Sequence, residues 1–452
     1  MREPAAIMTE NRFAILMRSR NQLFVVAIAL VGVGAPVLAY AAPILLPAPQ
    51  EEAGAGNPAV QAQMKVGNEA LARKSLDAAQ KAFLQASKLD PNDAQPLLGL
   101  AEVARLRNQR AEVEKRLKQA QVVAPQSAMV QRAWGRYQLA IGKLSEAEQA
   151  LRKAAELAPR AAISHMDLGD LYLGALNRPR DAADAYRRAV DLQPDDAAAQ
   201  IGLGTALAAL GRSDEAITAL EKSVKLAPES PRPWLALGKL YHAKQDYSKA
   251  LETYDRLLKL QPDFVPALLD RGDIYLLARR DPASAVADYK RAAKAVPKSP
   301  TVQFKLGAAY QALGKPDDAA RHYRAAIAAD DKYAIAYNNL AALEAGRKRN
   351  LDEALKAAKR ATELAPTASE FYDTLGSVYA ARGELDQAIA AYRIAADAKP
   401  PQSDHYYRLA IALEQKGLKS ESVSALKQAL ALNPSAATAA DARRRLAQLG
   451  GT

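Results

Sequence analysis

Histidine, cysteine and paired carboxylates are where a sequence most often declares its chemistry, and here they declare little. The chain has no cysteine, which removes thiol catalysis, thiolate metal sites and disulfide staples together. Its four histidines, His165, His242, His322 and His405, are far apart, with none spaced on one helix as two metal ligands or a base and its nucleophile would be. Each is expected at a surface or in a groove. Gly202-Leu203-Gly204 has the outline of a phosphate loop, but no strand-like run precedes it, so the signal is false. Carboxylates are plentiful, yet nothing marks a pair held in a cleft with one pKa raised. No catalytic residue, cofactor, metal or small-molecule substrate is expected, and the chain reads as something other than an enzyme.

Charge points no more strongly to nucleic acid. The formal net charge is +12, but basic and acidic residues interleave, as in Glu112, Glu114, Lys115, Arg116 and Lys118, which is ordinary solvated helix surface. A continuous basic stripe with stacking aromatics is missing from the pattern. The tyrosines are claimed by packing positions instead.

Those positions come from a repeat. Prolines return at Pro91, Pro125, Pro159, Pro194, Pro228, Pro262 and Pro297, then Pro366, Pro400 and Pro434, with Asp331 on the skipped beat, always 34 or 35 residues apart. One packing problem is being solved repeatedly. In the sixth unit, the one ending at Pro262, Trp234, Leu237, Gly238 and Tyr241 fall on one helix face at three- and four-residue steps, and Ala250, Tyr254 and Leu257 do so on a second helix,. Glycine at the eighth place, as Gly135, Gly204 or Gly307, costs helix propensity and implies close approach of the paired helices. A small residue follows on the second helix (Ala147, Ala216, Ala319), then a large one four places on (Leu151, Leu220, Tyr323). The expected packing is small against small and large against large. Gly142, Gly211, Gly314, Gly383 and Gly417 mark the turns, acidic pairs such as Asp317 and Asp318 suit second-helix N-termini, and each closing proline ends its hairpin. The intervals ending at Pro194, Pro297 and Pro366 run one residue long, a surplus expected in a turn.

This pattern resembles the tetratricopeptide repeat over roughly Val60 to Pro434. The second unit, ending at Pro125, is the weakest match, with Ala101 at the eighth place and Asn108 for the turn glycine. The resemblance implies an all-α fold: a right-handed α-solenoid superhelix of about eleven helix-turn-helix repeats, closed by a C-terminal capping helix from Ala436 to Leu449 with Arg443, Arg444 and Arg445 outside.

The resemblance also implies a concave groove lined by first-helix residues, notably at the fifth and ninth places. Carried onto this chain, those places supply candidate groove residues Arg132, Arg136, Asp170, Lys239, Asp273, Phe304, Asn338, Asp373 and Tyr407. The basic and asparagine set with which some members clamp a terminal carboxylate is not present in any adjacent pair. The sixth-place asparagine ladder of the O-linked N-acetylglucosamine transferases survives only at Asn339, the other rungs including Asp167, Gly202, Lys305 and Arg408.

Ahead of the repeats, residues 1–22 form a basic segment, 23–42 an apolar run, and 43–59 a spacer rich in proline, glycine and glutamate; residues 60–434 hold the repeats and 435–452 the cap and tail. The apolar run, preceded by Arg12, Arg18 and Arg20, reads either as a secretion signal cut after Ala39-Tyr40-Ala41 or as an uncleaved membrane anchor. Both place the repeats in the periplasm or envelope of a bacterium, secreted or anchored in the inner membrane and facing outward. The functional expectation is a protein-protein interaction scaffold of the cell envelope, binding a peptide or helix of a protein partner, in an export or surface-assembly system; the alternative is a structural spacer or self-associating element.

Overall fold

A computed structural model describes residues 57–451. The fold is an all-α solenoid of helical hairpins, and no strand occurs among the described residues. The chain divides between Gln261 and Pro262 into two compact units. The first holds six hairpins, from Pro58–Ala72 with Leu76–Leu89 to Pro231–Ala243 with Tyr247–Leu260. The second holds five, from the pair opened by Val265–Asp273 and closed by Pro282–Ala295 to Ser403–Gln415 with Lys419–Ala431, then a last helix, Ala436–Gln448. Within a unit each helix packs on its hairpin partner and its neighbours in the stack. Stability is therefore a sum of local terms.

The hairpin interior keeps the small-against-small approach that its sequence suggests and adds a contact of the glycine with the large residue. An added Cβ on Gly307 would lie 2.8 Å from Cδ1 and Cε1 of Tyr323 and 3.2 Å from the Ala319 carbonyl oxygen. The small residue faces the large one, and the alanine behind it lets the second backbone come close. Tyr254, Tyr289 and Tyr323 are completely buried in this way. Gly307→Ala is expected to cost about 1–3 kcal/mol, the price of overpacking, because the backbone oxygen cannot swing aside as a side-chain tip could. Chemical denaturation of the variant measures it.

The surplus residues are placed in two ways. In the ninth hairpin the turn takes the extra residue, with Lys348 and Asn350 both left-handed. In the fourth and seventh, the first helix itself absorbs it as a π-helical stretch, Leu171–Ala175 and Ile274–Ala278, directly after Asp170 and Asp273. Such bulges gather at functional sites.

Successive hairpins are also tied along one edge. Acidic residues at second-helix N-termini pair with a basic residue thirty positions on: Asp77 with Arg107, Glu148 with Arg178, Asp214 with Lys244, Asp317 with Arg347 and Asp352 with Arg382. Four of the bonds are exposed and that of Glu148 with Arg178 is half-buried, and each is individually weak. Hydrogen bonding to Lys244, Arg347 and Arg382 holds Asp214, Asp317 and Asp352 below the ordinary carboxylate value of 3.8. A depressed native pKa stabilises above the unfolded value and loses that effect as pH falls through the native one. The melting temperature should accordingly drop as pH falls below about 4, and a triple Asp→Asn variant at these positions should show a shallower drop; an identical acid profile would contradict the edge pairing.

One expectation is corrected. Among the described residues no helix is long and apolar enough to cross a membrane, and residues 23–42, on which the anchor or signal was placed, lie outside the described residues. The membrane, transmembrane and periplasmic or envelope assignments are withdrawn accordingly.

Candidate functional site

First-helix side chains at the fifth, sixth and ninth places form the candidate surface, and many of its charges are answered by the next repeat. Arg132, at the fifth place of the third hairpin, is 3% exposed. Its Nε donates to Asp167 Oδ2, at the sixth place of the fourth hairpin, over 2.6 Å. Arg136 Nη1 stands 3.8 Å from the other oxygen of Asp167. In the second unit Lys305 Nζ donates to both oxygens of Asp273 at 2.6 and 2.7 Å, and Arg408 Nη1 lies 3.1 Å from Asp373. All three bridges join a fifth- or ninth-place charge to an opposite charge at the following sixth place. That complementarity is visible in the sequence once the two places are compared across consecutive repeats rather than within one.

The remaining candidates sit differently. Phe304 is half-buried, its ring centroid 5.7 Å from those of both Tyr323 and Tyr333. Asn338 is buried, its Nδ2 3.4 Å from Asn339 Oδ1. Tyr407 is buried and donates to Asp441 of the last helix at 2.5 Å; burial, then the hydrogen bond to Asp441, pushes its hydroxyl up to about 12. Lys239 is half-buried at the ninth place of the sixth hairpin. Arg443 and Arg444 face solvent, whereas Arg445 is half-buried between Glu414 and Asp441. His405 lies in the core, its Nδ1 2.7 Å from the Ala395 carbonyl oxygen, against the expectation of a surface or groove position.

Asp170 is the exception among the acids. It is exposed, and its Oδ1 accepts from Tyr186 Oη at 2.5 Å. Protein around the carboxylate withdraws bulk water and raises its pKa to about 6; Tyr186 hydrogen bonding opposes the rise, Asp167 adds to it, and Arg136 and Arg232 oppose it,. Burial and the Asp170 charge hold the Tyr186 hydroxyl well above its ordinary value, so it remains a donor.

Among the described residues no three His, Asp or Glu side chains gather as metal ligands, and the arrangement offers binding contacts rather than a nucleophile, base and oxyanion donors. No curated protein matches the chain. Solved structures similar to it include MamA, 25% identical, covering 35% of this chain and 92% of that one at a TM-score of 0.33. YrrB, described as a TPR protein with an unusual peptide-binding site, is 25% identical and covers 42% of this chain and 97% of that one at 0.36. The Cut9-Hcn1 hetero-tetramer of the APC/C is 13% identical, covering 86% and 97% at 0.44. The tetratricopeptide repeat model matches residues 132–175, 171–231, 235–300, 304–369 and 374–437, more than half of the chain. With its hairpins, buried repeat tyrosines and inter-repeat bridges in place, the chain belongs to the tetratricopeptide repeat family.

Proposed function

We propose that this protein is a non-catalytic scaffold that holds an extended peptide or a helix of a partner protein along its first helices. One observation carries the reading. On three consecutive first helices of the first unit the fifth place is apolar and only partly buried, as Met166, Ile201 and Leu235, while the ninth place beside it is polar, as Asp170, Thr205 and Lys239. An apolar strip flanked by polar groups supplies desolvation from one row and direction from the other. The test uses the full chain against an array of short random peptides. Wild type should retain a defined subset, and Ile201→Glu combined with Leu235→Glu should weaken those peptides at least roughly tenfold at an unchanged melting temperature. No retained peptide, or equal retention by the folded double variant, would overturn the reading.

A further inference from the structure

The fourth and seventh hairpins carry the same uncommon device twice. Each has aspartates at the sixth and ninth places, Asp167 with Asp170 and Asp270 with Asp273. Each passes into a π-helical stretch immediately after the second aspartate. In each, the second-helix tyrosine donates to that aspartate at 2.5 Å, Tyr186 to Asp170 and Tyr289 to Asp273.

The two differ in what meets the carboxylate from the next repeat. At Asp273 it is the ammonium of Lys305, which contacts both oxygens and leaves the aspartate side chain only 20% exposed. The equivalent sixth place after Asp170 is Gly202, where an added Cβ would run into the Tyr186 ring. No side chain can reach Asp170 from that place, and the residue is exposed. One cradle is filled by the chain's own lysine; its twin is open.

We infer that the Asp170–Tyr186 cradle is a subsite for a lysine side chain of the bound peptide, received as Lys305 is received by Asp273 and Tyr289. The inference rests on the peptide-binding reading above. A primary ammonium suits the site because its three donors can take a carboxylate that already accepts from a phenol. The flexible four-carbon stem of lysine can lie across the neighbouring apolar residues Met166 and Ile201. The carboxylate's pKa is raised to about 6 by the protein packed around it, which the pull of Arg136 and Arg232 does not overcome. The charged and titratable groups acting on it are Tyr186, Asp167, Arg136 and Arg232. Arg136 and Arg232 limit net attraction, so lysine at one register, not a basic peptide in general, is what the site selects.

The same peptide array tests this, with Asp170→Asn beside wild type and Asp273→Asn as a comparison. Among peptides held by wild type, lysine should be enriched at one register, and acetylation of that lysine should weaken binding roughly tenfold. Asp170→Asn should lose the enrichment while still retaining peptides through the apolar strip, and Asp273→Asn should keep it. Binding of the lysine peptides should also fade as pH is lowered through about 6. Retained peptides with no lysine preference, a preference met equally by arginine or by a free N-terminus, or enrichment that survives Asp170→Asn would each overturn the subsite while leaving the groove reading intact. Failure of wild type to retain any peptide would overturn both. A second readout concerns the protein alone. A carboxylate whose native pKa is raised destabilises the fold once pH exceeds that pKa, so Asp170→Asn should melt higher than wild type well above pH 6 and no higher near the ordinary value of 3.8,. An unaltered melting profile would overturn the uncompensated anion on which the subsite depends.

Discussion

Asp167→Ala is expected to destabilise the first unit by about 3–5 kcal/mol, the loss typical when one partner of a buried ion pair is removed. Arg132 would be left as a charge 3% exposed, its 2.6 Å bond to Asp167 gone. Its buried Nη2 already has no hydrogen-bond partner, and Arg136, 3.8 Å from Asp167, would add repulsion in place of a shared anion. Arg132→Leu combined with Asp167→Leu should recover part of the loss, because two apolar side chains avoid the desolvation that the pair must offset, while Arg136 still loses its anion. Urea titration of the single and double variants gives both numbers. Because stability in a repeat array is local, amide exchange should quicken first in the third and fourth hairpins. A single-variant cost under about 1 kcal/mol, the range of an exposed pair, would mean that the bridge is not buried in solution.

Tyr289→Ala should cost the second unit about 3–5 kcal/mol, as for other large aromatic-to-alanine truncations in a core. The ring is completely buried and occupies the space that Gly272 leaves by lacking a Cβ. Neither helix can close over such a hole while their backbones are held by the flanking hairpins. Tyr289→Phe separates the hydroxyl from the ring. It should cost only about 1 kcal/mol, since Asp273 keeps both contacts to Lys305. Denaturation of the two variants side by side tests the assignment. Equal losses would place the energy in the Tyr289–Asp273 hydrogen bond and not in packing.

Much of the architecture is legible in the chain because the repeat imposes it many times. Gly142, Gly211, Gly314, Gly383 and Gly417 mark turns and do adopt left-handed backbone, and Asn108 substitutes for glycine at the weakest repeat as expected. The same turn position is taken by Lys74, Gln245 and Arg280 with equally positive φ. These carry no local signal, since the tertiary stack imposes on them a conformation that their residue types do not favour. The surplus residue in three hairpins is visible as a count of 35, but a count cannot say whether a turn or a helix absorbs it. Of the candidate surface the sequence displays the charges but not their pairing: Arg132, Asp273 and Asp373 are joined to Asp167, Lys305 and Arg408, partners a repeat away in sequence.

By itself the sequence determined the all-α hairpin, its length, its turns and the number of its copies, because helix periodicity, glycine and proline act within a few residues of where they stand. Only the tertiary structure decided which charges are spent between repeats, that Gly307 meets the Tyr323 ring as well as the Ala319 backbone, and that Asp170 is exposed where Asp273 is bridged. Those outcomes depend on how one hairpin is seated on the next, and a difference as small as Gly202 against Lys305 at the same place is enough to leave one carboxylate open and its twin closed.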